Sequence, residues 1–285
     1  MTISLPASKR FVNSFLRLTR VWNLLILTLA QYFTAVFLIG PETLNDFRLF
    51  LLSLSTVLIA AAGYIINDYY DVKIDFINKP DRVVIGKSIT RRFALLFHIM
   101  LSATGILIGF LLSWWVAGVN VLSVFLLWFY SNNLKRLPFV GNFAVALLTG
   151  LSILVVDVLY PPHHSLIWVY AVFAFFMTLV REIVKDIEDL KGDNTFGCKT
   201  LPIVWGIRKT KLLIYLILLA FLVVVLFLNY YYSRLPFSFF AFFLFVPIAL
   251  LVLWLLRADM KKDFARLSTF CKIILVLGVI SMAFV

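Results

Sequence analysis

Apolar residues run along this chain in long blocks separated by short, charged connections. Nine blocks approach the length needed to cross a membrane, at about residues 22–40, 48–66, 93–113, 115–130, 142–160, 165–182, 212–230, 237–256 and 270–285. A hydrocarbon core of roughly 30 Å takes about 20 mostly apolar residues in helical form. The blocks lack the alternation of barrel strands, and lipid leaves no partner for unpaired backbone groups, so each should be a helix. The pattern predicts an all-α polytopic membrane protein, a nine-helix bundle. No Ser/Gly-rich linker or low-complexity tract interrupts it, so residues 1–285 read as a single domain.

Polar positions orient the bundle. With the N-terminus and every second connection on one side, all 26 Lys and Arg residues except Arg48 and Arg234 fall there. Lys and Arg accumulate on cytoplasmic loops, which places the N-terminus in the cytoplasm and the C-terminus outside. Within residues 1–21, Phe11, Phe15 and Leu18 alternate with Lys9, Arg10, Arg17 and Arg20, as in an interfacial amphipathic helix. No small-residue cleavage site follows, which argues against a signal peptide and suits a prokaryotic inner membrane.

Composition agrees: 63% of residues are hydrophobic, 14% are charged, and the mean hydropathy is +1.02. The net charge of +12 lies mainly at the cytoplasmic face, where it meets anionic lipid headgroups or anionic substrates. This distribution argues against nucleic-acid binding, and no obligatory protein partner is evident. Cys198 and Cys271 are too few for a disulfide framework and lack metal-ligand spacing, so both read as free thiols.

Against this background stand two acidic clusters of identical spacing: Asp68, Asp71 and Asp75, then Asp186, Asp189 and Asp193. Residues three, four and seven apart share a helix face, so each cluster aims its carboxylates at a common point. One cluster alone could be a solvated helix end, but two on the same side suggest opposed faces of a divalent-cation site. Like charges about 4 Å apart repel by about 4 kcal/mol at an effective dielectric of about 20, and a bound cation removes that difficulty. The donors are all oxygens, Asn67 adding a carboxamide, which selects Mg²⁺ or Mn²⁺ over Zn²⁺. Mg²⁺ held by few carboxylates completes its shell with water and phosphate oxygens, so the implied ligand is a phosphate ester. Lys79, Arg82, Arg181 and Lys185 lie near the clusters in sequence, as does Lys73. A phosphate site at the mouth of a bundle with 29 Phe, 11 Tyr and 7 Trp further suggests a substrate with a long apolar tail.

These residues carry a specific resemblance. Asn67, Asp71 and Asp75 resemble the first signature, Asn-x3-Asp-x3-Asp, of the UbiA superfamily of intramembrane prenyltransferases, and Asp189 and Asp193 resemble its second, Asp-x3-Asp. Nine helices with the motifs in connections 2/3 and 6/7 extend the likeness across the chain. LTRVWN at Leu18–Asn23, the stretch Tyr130–Gly150 and the run through KDIEDLKGD resemble the branch that adds a second geranylgeranyl chain to geranylgeranylglyceryl phosphate. One departure is visible: that branch often has Arg-Pro and a Pro-Ser-Gly turn where this chain reads Arg82-Val83-Val84-Ile85-Gly86. Loss of the proline should loosen this loop, and bears on the acceptor rather than on the metal chemistry.

The resemblance implies Mg²⁺ ions bridging an allylic prenyl diphosphate, geranylgeranyl diphosphate for this branch, with Asn67, Asp71, Asp75, Asp189 and Asp193 as metal ligands. Asp68 and Asp186 would be helpers, Asp68 a candidate proton acceptor, and Asp71 and Asp189 central to catalysis. Lys79, Arg82, Lys135, Arg181 and Lys185 would bind the diphosphate. The acceptor would be a lipid glycerol phosphate or, in the alternative, an aromatic ring of quinone biosynthesis. A cation-coupled transporter is the competing class, but it calls for acidic residues near mid-span, and Asp157, the one acidic residue inside an apolar block away from the cytoplasmic connections, lies near the opposite surface. The longer acidic array of CDP-alcohol phosphotransferases is absent. Asp157 should snorkel to water, His163 and His164 should form an exposed turn, His98 should be buried, and Pro247 should kink its helix.

Overall fold

The computed structural model describes residues 7–233 and 236–285, the side chains of residues 7–11, 82, 232, 233 and 237 excepted. Nine helices among them are long and apolar enough to span a membrane, and no strand forms among these residues. In chain order the helices are α1 Ala7–Leu18, α2 Val21–Leu38, α3 Phe47–Asn78, α4 Arg91–Leu112, α5 Trp114–Asn132, α6 Val140–Leu159 and α7 Ser165–Glu188. There follow the short α8 Leu190–Thr195, α9 Leu201–Leu228, α10 Phe237–Phe240, α11 Val246–Arg257 and α12 Lys261–Ser281. A π-helical turn, Ala241–Phe245, joins α10 and α11 into one span, and Pro247 sits in the first turn of α11 beyond it.

The interior is organised around α7, whose apolar window is 72% buried against 22% for α5. Ile183 and Val184 of α7 pack with Phe221 of α9, Leu251 of α11 and Leu267 of α12 in the largest core cluster. Outward positions such as Leu111, Trp114 and Trp115 are exposed, as expected where lipid is the solvent and aromatic rings lie at the interface. Between α3, α4 and α5 small residues and buried polar bonds replace bulk apolar packing. A Cβ at Gly105 would lie 2.6 Å from Ile59. Asn120 Nδ2 donates to Ser55 Oγ at 2.6 Å and to the Gly105 carbonyl at 2.9 Å.

Two helices reach well beyond the apolar blocks read from sequence. Helix α3 has 32 residues, about 48 Å at 1.5 Å per residue, so its last turns carry the first acidic cluster past the hydrocarbon. It stops at Asn78 because Lys79 precedes Pro80, which disfavours helical geometry there. Helix α9 begins at Leu201, with Pro202 in its first turn and a kink at Gly206 (φ 76°). The loop after the second cluster is therefore shorter than the sequence suggested.

Helix α1 forms as expected, with Leu18 fully buried with Ile65, Val84 and Ile89 and Phe15 meeting Phe97 edge-on at 5.2 Å, while Val12 and Leu16 stay exposed; Phe11, Lys9 and Arg10 lie outside the described side chains. Two further expectations are corrected. The Val83–Gly86 segment is anchored, not loosened, because Val83, Val84 and Ile85 are buried and Gly86 (φ 86°) donates to the Ile89 carbonyl at 2.8 Å. Asp157 does not snorkel: it is 2% exposed and accepts hydrogen bonds from the His164 backbone at 2.8 Å and from His163 Nδ1 at 2.9 Å. His98 is buried as expected, with Nδ1 3.0 Å from the Ala62 carbonyl.

Candidate active site

The end of α3 and the break between α7 and α8 meet at one end of the bundle. Asp68, Asp71 and Asp75 lie on the last turns of α3, Asp186 lies on α7, Asp189 marks the break, and Asp193 begins again on α8. Asn78 clamps the two motifs together. Its Nδ2 donates to the Asp189 carbonyl at 3.2 Å and its Oδ1 accepts from Gly192 N at 3.0 Å. Gly192 leaves room for this clamp, since a Cβ there would lie 2.5 Å from the Asn78 amide.

Each motif holds one lysine-bound and one open carboxylate. Lys135 Nζ lies 2.6 Å from Asp71, and Lys79, at the end of the first motif, crosses to Asp189 at 2.9 Å and to Glu188 at 3.4 Å. Asp75 and Asp193 form no side-chain hydrogen bond or ion pair among the described residues. Burial, followed by the charges of Asp189 and Asp71, pushes the Asp193 carboxyl up to about 7. Burial lowers the Lys135 pKa below its ordinary value, and Asp71 restores only part of it. Asp186 accepts from Asn142 Nδ2 at 2.8 Å.

Asp68 is taken by Arg20, whose Nη2 lies 2.7 Å from Oδ1 and whose guanidinium sits 4.8 Å from the centre of the Tyr64 ring. Burial opposes the charge on Arg20, but Asp68 and Tyr64 outweigh it and hold the proton more tightly than usual. Arg20 adopts left-handed backbone angles (φ 52°) between α1 and α2, a geometry that costs about 1–3 kcal/mol in a non-glycine residue and aims its side chain at α3.

Beneath the carboxylates a cavity of about 310 Å³ descends between α2, α3, α5, α6, α7 and α12. Its upper wall carries Arg20, Asn67, Tyr130, Arg181, Glu182, Lys185 and Lys272, and its depth is mainly apolar, with Ile26, Leu27, Ile59, Leu148, Phe173 and Val279. Arg181 and Lys185 pair with the buried Glu182, the latter at 3.3 Å. The structure thus joins Asn67 and both Asp motifs at the mouth with Lys79 and Lys135, and turns Arg181 and Lys185 into the cavity. The side chain of Arg82 lies outside the described residues.

Sequence reading missed Asn78, Asn142, Glu182 and Lys272. Glu182 and Lys272 interrupt apolar blocks with charge, a signal that was available; the roles of Asn78 and Asn142 depend on tertiary contacts that spacing does not reveal.

The donor chemistry fits a hard divalent cation. All candidate donors are oxygens, Asp75 and Asp193 are open, and Asn67 Oδ1 is buried with no hydrogen-bond partner. The carboxylates do not form a closed cage: no group of three or more His, Cys, Asp or Glu stands close enough to hold a metal among the described residues. Lys79 and Lys135 occupy two of the oxygens a cation would need, and both are long, flexible side chains that can turn aside.

Known proteins resemble this chain in sequence and in fold. A digeranylgeranylglyceryl phosphate synthase from Methanosphaera stadtmanae is 37% identical over 71% of this chain and 72% of its own. A solved structure concerned with digeranylgeranylglyceryl phosphate synthase in membranes superposes with a TM-score of 0.75 at 22% identity, covering 96% of this chain and 98% of the other. A UbiA homolog from Archaeoglobus fulgidus bound to DMAPP and Mg²⁺ matches with a TM-score of 0.66 at 16% identity, over 95% and 100% of the two chains. The model of the UbiA prenyltransferase family matches residues 26–274, so this integral membrane protein belongs to that family of prenyltransferases.

Proposed function

We propose that this protein transfers a geranylgeranyl group from its diphosphate to the free hydroxyl of geranylgeranylglyceryl phosphate, with Mg²⁺ and with release of diphosphate. The observation that carries the reading is the meeting of two acidic motifs, clamped by Asn78, at the mouth of a deep apolar cavity. The relative from Methanosphaera supports the acceptor, and the A. fulgidus homolog supports an allylic diphosphate with Mg²⁺.

Asn67, Asp71, Asp75, Asp189 and Asp193 would hold Mg²⁺, with Asp186, fixed by Asn142, behind them. A cation held by these residues would neutralise diphosphate and make it a better leaving group. Lys79 and Lys135, released from Asp189 and Asp71, would turn their positive charge to the leaving oxygens, and Arg82 follows Lys79 in the same connection. The bond from the prenyl C1 to the diphosphate oxygen breaks with its electron pair going to the diphosphate, and a bond from the acceptor oxygen to C1 forms. The hydroxyl proton passes to Asp68, whose Oδ1 is held by Arg20 and whose Oδ2 has no hydrogen-bond partner among the described residues. The apolar walls of the cavity keep water from the developing allylic cation. The motif face, the N-terminal side and 24 of the 26 basic residues would lie in the cytoplasm of a prokaryotic inner membrane.

The test is diphosphate release from geranylgeranyl diphosphate by the purified protein. Release should require both Mg²⁺ and geranylgeranylglyceryl phosphate and stop in EDTA. Equal release without any acceptor would count against the reading.

A further inference from the structure

Lys272 is a cavity cation that no carboxylate answers among the described residues. It enters the wall from α12, inside a membrane-spanning helix, and its hydrogen bond goes to the neutral amide oxygen of Asn23 at 3.4 Å. The charges that act on it are mostly of its own sign, Arg181, Arg20 and Lys185 against Glu182. Arg20 is engaged by Asp68, while Arg181 and Lys185 share Glu182, so among the described residues Lys272 is the cavity cation left without an ion pair. Arg181 Nε is buried without an acceptor, and Thr178 Oγ1, one turn away on α7, is buried without a partner. Both residues line the cavity.

A partly buried charge without an ion pair is unfavourable, and an ionisable residue inside a membrane ordinarily serves a ligand or a pathway. The mouth shows the opposite imbalance: Asp71, Asp75, Asp189 and Asp193 outnumber Lys79 and Lys135. The mouth therefore calls for cations and the cavity wall for an anion. Leu275 and Val279 continue the Lys272 face of α12 along the cavity, which Ala30 and Phe173 also line, so an anion seated at Lys272 would have an apolar channel beside it.

We propose that Lys272 and Arg181, with Thr178, form a metal-independent subsite for the phosphate of a lipid acceptor, separate from the carboxylate mouth that holds the diphosphate. This rests on the acceptor reading given above. A phosphate monoester carries about −1.5 to −2 charges near pH 7, which would answer the unpaired Lys272 and the free Arg181 Nε. The same chemistry would also suit the phosphates of the prenyl donor, and the two sources separate experimentally.

The experiment measures binding in EDTA to the full-length protein, with geranylgeranylglyceryl phosphate and its dephosphorylated analogue geranylgeranylglycerol as probes. The wild type should prefer the phosphate form by about 10–100-fold, as charged hydrogen bonds of this kind confer. Lys272→Met should lose about tenfold or more of that preference, Lys272→Arg should retain it, and Arg181→Gln should lose it if Lys272→Met fails to fold. With Mg²⁺ present, Lys272→Met should raise KM for the acceptor and leave KM for geranylgeranyl diphosphate unchanged. Absence of phosphate preference in EDTA, or a rise confined to the donor KM, would overturn the subsite. If the wild type binds the phosphate amphiphile in EDTA yet transfers nothing to it, the acceptor reading fails while the anion subsite stands.

Discussion

Replacing Asn78 with Ala should uncouple the two acidic motifs without touching any carboxylate. The side chain supplies one bond to the Asp189 carbonyl at 3.2 Å and one from Gly192 N at 3.0 Å. At about 0.5–1.5 kcal/mol net for each, the clamp holds α8 against α3 with about 1–3 kcal/mol. If that energy sets the register of Asp189 and Asp193 against Asp71 and Asp75, the Mg²⁺ concentration for half-maximal transfer should rise about 5–150-fold. Gly192→Ala should produce the same rise, because its Cβ, 2.5 Å from the Asn78 amide, expels that side chain. The double variant should be no worse than either single one, since both remove one shared interaction. Initial rates across a Mg²⁺ titration, with thermal melting in EDTA to monitor the fold, read the effect. Unchanged Mg²⁺ dependence in Asn78→Ala, or additive losses in the double variant, would refute the clamp.

Asp71→Asn and Asp189→Asn should each abolish transfer while melting close to the wild type; full activity in both would remove the metal-site reading. Lys135→Met should bind Mg²⁺ more tightly, because Asp71 loses its 2.6 Å partner, and should transfer about 10²–10³-fold more slowly for want of charge at the leaving oxygens. Isothermal titration and single-turnover rates check the two halves, and unchanged Mg²⁺ affinity would show that Lys135 does not compete for the site. At the opposite end of the bundle, Asp157→Ala should lower stability by about 1–3 kcal/mol by stranding the His164 N–H. Both KM values should stay at their wild-type levels, and a change in either would show coupling across the bundle.

The nine spans and the two motifs were legible because both are local signals: length and apolarity for the helices, residue spacing for the carboxylates. The ends of α3 and α9 were not, since a hydropathy block marks the hydrocarbon while the helix stops only at a breaker such as Lys79-Pro80. Lys79 and Lys135 were found as cations near the site, but their pairing with Asp189 and Asp71 depends on helix ends brought together from 110 and 64 residues away. Asp157 misled because a single acidic residue near a span end usually reaches water, whereas here the backbone of His164 folds back onto it. Lys272 carried a readable signal, a lone charge inside the last apolar block, but that it has no ion pair among the described residues is visible only once α7 and α12 enclose the cavity.

The most direct measurement offers the purified protein labelled geranylgeranyl diphosphate with geranylgeranylglyceryl phosphate and 4-hydroxybenzoate in competition, and identifies the labelled product by mass spectrometry with and without EDTA. The labelled product should be an EDTA-sensitive diether of glycerol phosphate. A labelled aromatic product would contradict the acceptor assignment, and transfer that persists in EDTA would contradict the metal-dependent site on which the whole account rests.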